Sequence, residues 1–63
     1  MSSYRDADEA FRTRDYQKAI ELYFEFLRDF PDDFAAWCNL GISLGRIGRP
    51  EDALKCFDKA LEI

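Results

Sequence analysis

The chain has 63 residues, 48% of them hydrophobic and 16% aromatic, with a formal charge of −4. That is room for one domain with a thin core, in which folding buries only about 60% of the surface the unfolded chain exposes, and the apolar content excludes a disordered segment. Arg5, Arg12, Arg14, Lys18 and Arg28 are each interleaved with Asp or Glu, which excludes the basic face a phosphate backbone needs, so neither nucleic acid nor a membrane surface is an expected partner.

The charge is uneven along the chain. Residues 1–33 carry nine acids and five bases, and residues 34–63 carry four of each. Cys38 and Cys56 are not spaced as zinc ligands or as a redox pair. No apolar run approaches the roughly 20 residues of a membrane span. Met1 to Asp6 leads straight into charge without the apolar centre of a secretory signal. A reducing, cytoplasmic setting is the expectation.

In chain order, Ser3 followed by Asp6 has the form of a capping box, and Tyr4, Ala7, Ala10 and Phe11 follow at three- and four-residue steps. The spacing predicts a helix over 3–13. Asp15 then stands as the N-cap of a second helix over 16–29, along which Tyr16, Ala19, Ile20, Tyr23, Phe26, Leu27 and Phe30 keep the same period until Pro31 ends it. Asp33 is placed to cap a third over 34–47, whose stripe of Phe34, Trp37, Leu40, Gly41, Leu44 and Ile47 ends before Gly48. Pro50 suits the first turn of a fourth over 50–62, and Glu51 and Asp52 complement its positive dipole end. No stretch alternates as a strand does, so the fold class is all-α. The short connections predict antiparallel neighbours.

Set against itself at an offset of 34 residues, the chain places Ala19 on Ala53, Ile20 on Leu54, Tyr23 on Phe57 and Leu27 on Leu61. Small residues fall on small and large on large. Trp37-Cys38-Asn39-Leu40-Gly41 and Leu44, then Ala53 to Phe57, resemble the tetratricopeptide repeat, whose pattern is Trp-x-x-Leu-Gly-x-x-Tyr, Ala-x-x-x-Phe and a closing Pro. Leu44 replaces the Tyr, and the closing Pro of this second unit is absent. In the first unit Ala19, Tyr23 and Pro31 match, but Ser3 and Asp6 stand where Trp and Leu belong, with Ala7 as the small residue. A generic four-helix bundle would share the binary pattern; the ordered small–large register decides against it.

The resemblance implies two antiparallel helix–turn–helix units stacked as a short right-handed α-solenoid in a single domain, unit one over 1–32 and unit two over 33–63, the second lacking a capping helix. Gly41 and Ala7 would let paired helices approach, Ala19, Ala53 and Ala60 would do the same, and Trp37, Leu40 and Phe57 would fill the space between pairs.

The chain has no His, no Gly-rich phosphate loop and no nucleophile beside an evident base. No catalytic residue, metal site or cofactor is therefore expected, and the acids are read as solvated surface groups. By the resemblance, a partner protein's peptide or helix would lie in a concave groove faced by Tyr4, Asp8, Phe11 and Arg12 from the first helix, and by Cys38, Ile42, Gly45 and Arg46 from the third. Independently of it, Cys38 and Ile42 sit one turn apart and off the Trp37–Leu40–Leu44 stripe, forming a second apolar strip. One subfamily grips a C-terminal carboxylate; only Asn39 matches that set here, and Asp8 would repel the carboxylate. The alternative to groove binding is self-assembly. Each repeat buries its apolar side against the next, and Leu54, Phe57 and Leu61 have no following helix in this sequence, so they are the expected self-association face of a homo-oligomer, or the joint of a longer array.

Overall fold

Four helices account for most of residues 3–63, the part described by the structure, a computed structural model: α1 (Ser3–Arg12), α2 (Tyr16–Asp29), α3 (Phe34–Arg46) and α4 (Pro50–Glu62), with no strand among the described residues. Their starts follow from local chemistry. The Asp15 carboxylate accepts the Lys18 N–H at 3.3 Å, and the Asp33 carboxylate accepts the Ala36 N–H at 2.9 Å, each satisfying an N–H that the first turn leaves unpaired. Pro50 opens α4, where its missing N–H costs nothing. The Ser3 side chain lies outside the described residues, and the capping box with it.

Two helix ends carry the same device, which the sequence marked with Gly48 at one and left unmarked at the other. Asp15 N–H donates to the Ala10 carbonyl at 2.8 Å and Arg14 N–H to that of Phe11 at 3.1 Å; Arg49 N–H donates to Leu44 at 2.8 Å and Gly48 N–H to Gly45 at 3.2 Å. These are Schellman turns at equivalent places of the two hairpins, with Arg14 (φ 68°) and Gly48 (φ 84°) as their left-handed residues. Only one of the two is a glycine. A non-glycine residue in this region costs about 1–2 kcal/mol, part of which glycine gives back through unfolded-state entropy. Arg14→Gly is therefore expected to stabilise the chain by about 0.5–1 kcal/mol, read as a higher urea midpoint; a lower midpoint would refute the account.

α1 packs on α2, α2 on α3 and α3 on α4, while α1 and α3 meet more lightly and α2 and α4 do not pack together. The arrangement is two antiparallel helical hairpins, stacked through α2 and α3. The buried stripe runs through Ala7 and Ala10, then Ala19, Ile20, Tyr23 and Leu27, then Ala36, Leu40 and Leu44, and on to Ala53, Cys56 and Ala60. Small residues set the spacing as expected: a Cβ built on Gly41 would stand 2.6 Å from Cε1 of Phe57, so only glycine admits that ring. The Trp37 indole N–H donates to the Pro31 carbonyl at 2.7 Å, tying the connection between hairpins to α3.

Some expected core positions are not in the core. α1 ends at Arg12 and α3 at Arg46, each one residue early. Phe30, Phe34 and Ile47 are exposed, each lying at or beyond a helix end. Phe57, read as part of the open face, is half-buried, since its ring lies on Gly41. Equivalent positions of the two hairpins differ sharply. Ile20 and Leu27 are 6% and 5% exposed, whereas Leu54 and Leu61 are 61% and 81% exposed. The first pair lies beneath the second hairpin.

Candidate functional site

The face made by α1 and α3 holds the residues expected to bind a partner, and they divide into two kinds. Tyr4 and Phe11 are half-buried and aromatic. The Tyr4 ring lies 4.9 Å from that of Phe26 and 6.2 Å, edge-on, from that of Tyr23; the Phe11 ring stands edge-on to Tyr16 at 6.1 Å and to Tyr23 at 6.4 Å. Such pairs add about 0.5–1.5 kcal/mol each beyond the area they bury. Tyr4 and Phe11 are thus wedged onto the core. Each has Tyr23 as a neighbour, so replacing either one removes packing from the core as well as an aromatic edge from this face.

Ile42 and Cys38 are the other kind. Ile42 is exposed and Cys38 half-buried, one turn apart on α3, so the second apolar strip is present. Asp8 and Arg12 form an i,i+4 ion pair at 3.5 Å, with 35% and 70% of their side chains exposed, worth a few tenths of a kcal/mol in water. Arg46 places its guanidinium 6.0 Å from the Tyr16 ring centroid, linking α3 to α2 across the far end of the face. Gly45 has open space where a side chain would be. Along α3, Arg46 stands one turn beyond Ile42, so the strip of Cys38 and Ile42 ends on a guanidinium group.

Asn39 has a structural task. Its amide N–H donates to the Tyr23 hydroxyl oxygen at 3.1 Å, joining the second hairpin to the centre of the first. Burial pushes the Tyr23 phenol up to about 12, and the Asn39 hydrogen bond offsets part of that rise. The Tyr4 phenol is raised by burial first, then by Asp33 and Asp8. Ser43, fully buried, donates its hydroxyl to the Asn39 carbonyl at 2.9 Å. Tyr23 and Ser43 had no sequence signal as a polar network, since Tyr23 and Asn39 lie 16 residues apart on different helices and the Ser43 bond goes to a backbone carbonyl one turn back, which residue type does not mark.

Both cysteines are free thiols. Burial, with Asp52 second, raises the Cys56 thiol, which keeps it protonated and apolar. Among the described residues there is no group of three or more His, Cys, Asp or Glu arranged to hold a metal ion. No helix of the described residues is long and apolar enough to cross a membrane.

The comparisons with known proteins agree with this geometry. The tetratricopeptide repeat model matches residues 4–63, which spans all four helices. The chain belongs to the tetratricopeptide repeat family. The repeat is 44% identical over 55 residues to tetratricopeptide repeat protein 21B of Xenopus laevis, covering 87% of this chain and 4% of that protein. It is 35% identical over 49 residues to the peroxisomal targeting signal receptor of Saccharomyces cerevisiae, covering 78% of this chain and 8% of the receptor. The chain thus spans less than a tenth of the length of these relatives. No solved structure gives a significant match. The tetratricopeptide repeat hairpins are built for contact between proteins, and that is the general function the family carries.

Proposed function

We propose that this chain is a protein-binding module whose α1/α3 face receives a peptide or helix of a partner protein. The observation that carries the reading is the apolar strip of α3 formed by exposed Ile42 and half-buried Cys38, with Arg46 one turn beyond Ile42. Tyr4 and Phe11 supply aromatic edges beside it while holding the α1–α2 hairpin together. A few apolar anchors at about 1.5–3 kcal/mol each must offset association costs of about 4–15 kcal/mol, so two hairpins alone give a weak grip and avidity supplies the rest. The test is selection of 12-residue peptides from a random displayed library, followed by titration of the winners against Ile42→Glu. Ile42 is exposed, so the variant keeps its helicity; binding is expected to weaken at least tenfold. Equal affinity for wild type and variant sinks the reading.

A second reading rests on α4, where Leu54, Leu61 and Ile63 are exposed while Ile20 and Leu27, equivalent to the two leucines, are covered. The same chemistry that stacks one hairpin on the next acts on this face, whether the neighbour is a second copy or a following repeat of a longer array. Sedimentation velocity over a wide concentration range is expected to show dimers or larger species that Leu61→Glu abolishes. A monomer at every concentration excludes self-association through α4.

A further inference from the structure

On the side of the molecule away from the α1/α3 face, α2 and α4 stand apart and leave a groove of about 490 Å³ between them. Its walls are two helical strips. α2 contributes Gln17, Ile20 and Phe24, spaced at three and four residues, and α4 contributes Asp52, Lys55, Cys56 and Lys59 on the same spacing; Trp37 and Leu44 of α3 form the floor, with Ile47 at the end of that helix. Phe24 is 50% and Ile47 39% exposed, large apolar groups left facing this space.

The charge on the rim is what identifies an occupant. In an acidic chain, the groove is lined by Arg49, Lys55 and Lys59 and by one carboxylate, Asp52, which Arg49 already engages at 2.6 Å. Lys55 and Lys59 are exposed, lie one turn apart and form no ion pair among the described residues. Like charges at that spacing repel each other, and a bound carboxylate removes that repulsion. At 100° per residue the lysines lie on the opposite flank of α4 from Leu54 and Leu61, so this surface is separate from the α4 face discussed above.

We propose that the α2/α4 groove is a second binding site, which takes an acidic polypeptide segment with one or two bulky apolar anchors. The anchors lie on Phe24, Ile47 and Leu44, and the segment's Asp or Glu side chains meet Lys55 and Lys59. The groove is open along one side, which suits a polypeptide that keeps a polar face in water and suits poorly a lipid tail, whose exposed length would stay wetted. The site does not depend on the α1/α3 reading.

The test uses two synthetic 14-residue peptides with the same Leu and Phe spacing, one bearing Glu and the other Lys at the remaining positions, titrated into the ¹⁵N-labelled chain. Trp37, the one tryptophan of the chain, gives a parallel fluorescence signal. The Glu peptide is expected to shift amides of residues 17–24 and 52–59, to bind at least tenfold more tightly than the Lys peptide, and to weaken with added salt. Lys55→Glu with Lys59→Glu is expected to remove that preference with an unchanged thermal midpoint. The proposal is overturned by equal binding of the two peptides, by shifts confined to Cys38, Ile42 and Arg46, by unaltered binding to the double variant, or by no shifts at millimolar peptide. Sodium decanoate binding in the groove where the Glu peptide does not would assign the site to a lipid and overturn it as well.

Discussion

Tyr23→Ala is expected to leave the chain without a cooperative folded state at room temperature. Tyr23 has no exposed surface, its ring meets those of Tyr4 and Phe11, and its hydroxyl takes the Asn39 hydrogen bond from the other hairpin. Truncating a buried aromatic costs about 3–5 kcal/mol, which is about all that a core of this size supplies. Circular dichroism with a urea titration decides it: native helicity and a sigmoidal transition in the variant would refute the central place given to Tyr23. Tyr23→Phe separates the hydroxyl from the ring. It leaves the Asn39 amide without its acceptor, and is expected to cost about 1–3 kcal/mol, most of which disappears when Asn39→Ala is already present.

The same residue sets an alkaline limit on stability. The phenol's folded value of about 12 lies above its ordinary 10.0 because burial disfavours the phenolate. The folded state therefore holds the proton more tightly than the unfolded one. Stability from this group is complete below about pH 10 and is lost as pH rises towards 12, by roughly 3 kcal/mol at 1.36 kcal/mol per unit. Urea midpoints measured from pH 8 upward are expected to fall less steeply for Tyr23→Phe than for the parent chain; parallel curves would refute the assignment.

Gly41→Ala is expected to destabilise the protein although alanine is the better helix former. Alanine gains about 1 kcal/mol in a helix interior. Against that, the new methyl meets the Phe57 ring at 2.6 Å, inside any real contact, and overpacking of this kind costs about 1–3 kcal/mol. α4 must tilt away or the ring must leave its seat. Gly45→Ala is the matched control on the same helix, because nothing lies within 4 Å of a Cβ there, and it is expected to stabilise by about 1 kcal/mol. Shortening Phe57 to Leu should relieve the clash, so Gly41→Ala costs less in that background. A stabilising Gly41→Ala in the parent chain would mean that Phe57 does not hold α4 against α3.

The helices were legible because their boundaries are set within a few residues. A carboxylate three residues before an unpaired N–H, a proline in a first turn and a glycine after a last turn act locally, and Asp15, Asp33, Pro50 and Gly48 all do what their positions imply. The register of small on large also carried through, since Gly41 and Phe57 meet as the repeat pattern requires. Arg14 was not legible, because the residue type that normally marks a left-handed turn is missing from the first hairpin. The candidate site was half legible. Periodicity found the Cys38–Ile42 strip, but it does not distinguish a half-buried aromatic that faces a partner from one that leans on a neighbouring helix, and Tyr4 and Phe11 lean on Tyr23.

By itself, then, the sequence determined four helices, their order and their pairing, because caps, breakers and apolar period act over three to five residues. Tertiary structure alone decided which of two equivalent apolar residues is buried. Ile20 and Leu54 share a repeat position, yet one is covered and the other exposed, because burial depends on what the neighbouring hairpin reaches. It also made the groove of Phe24, Ile47, Lys55 and Lys59, whose members lie up to 35 residues apart and meet only because α2 and α4 both pack on α3 and stand apart from each other.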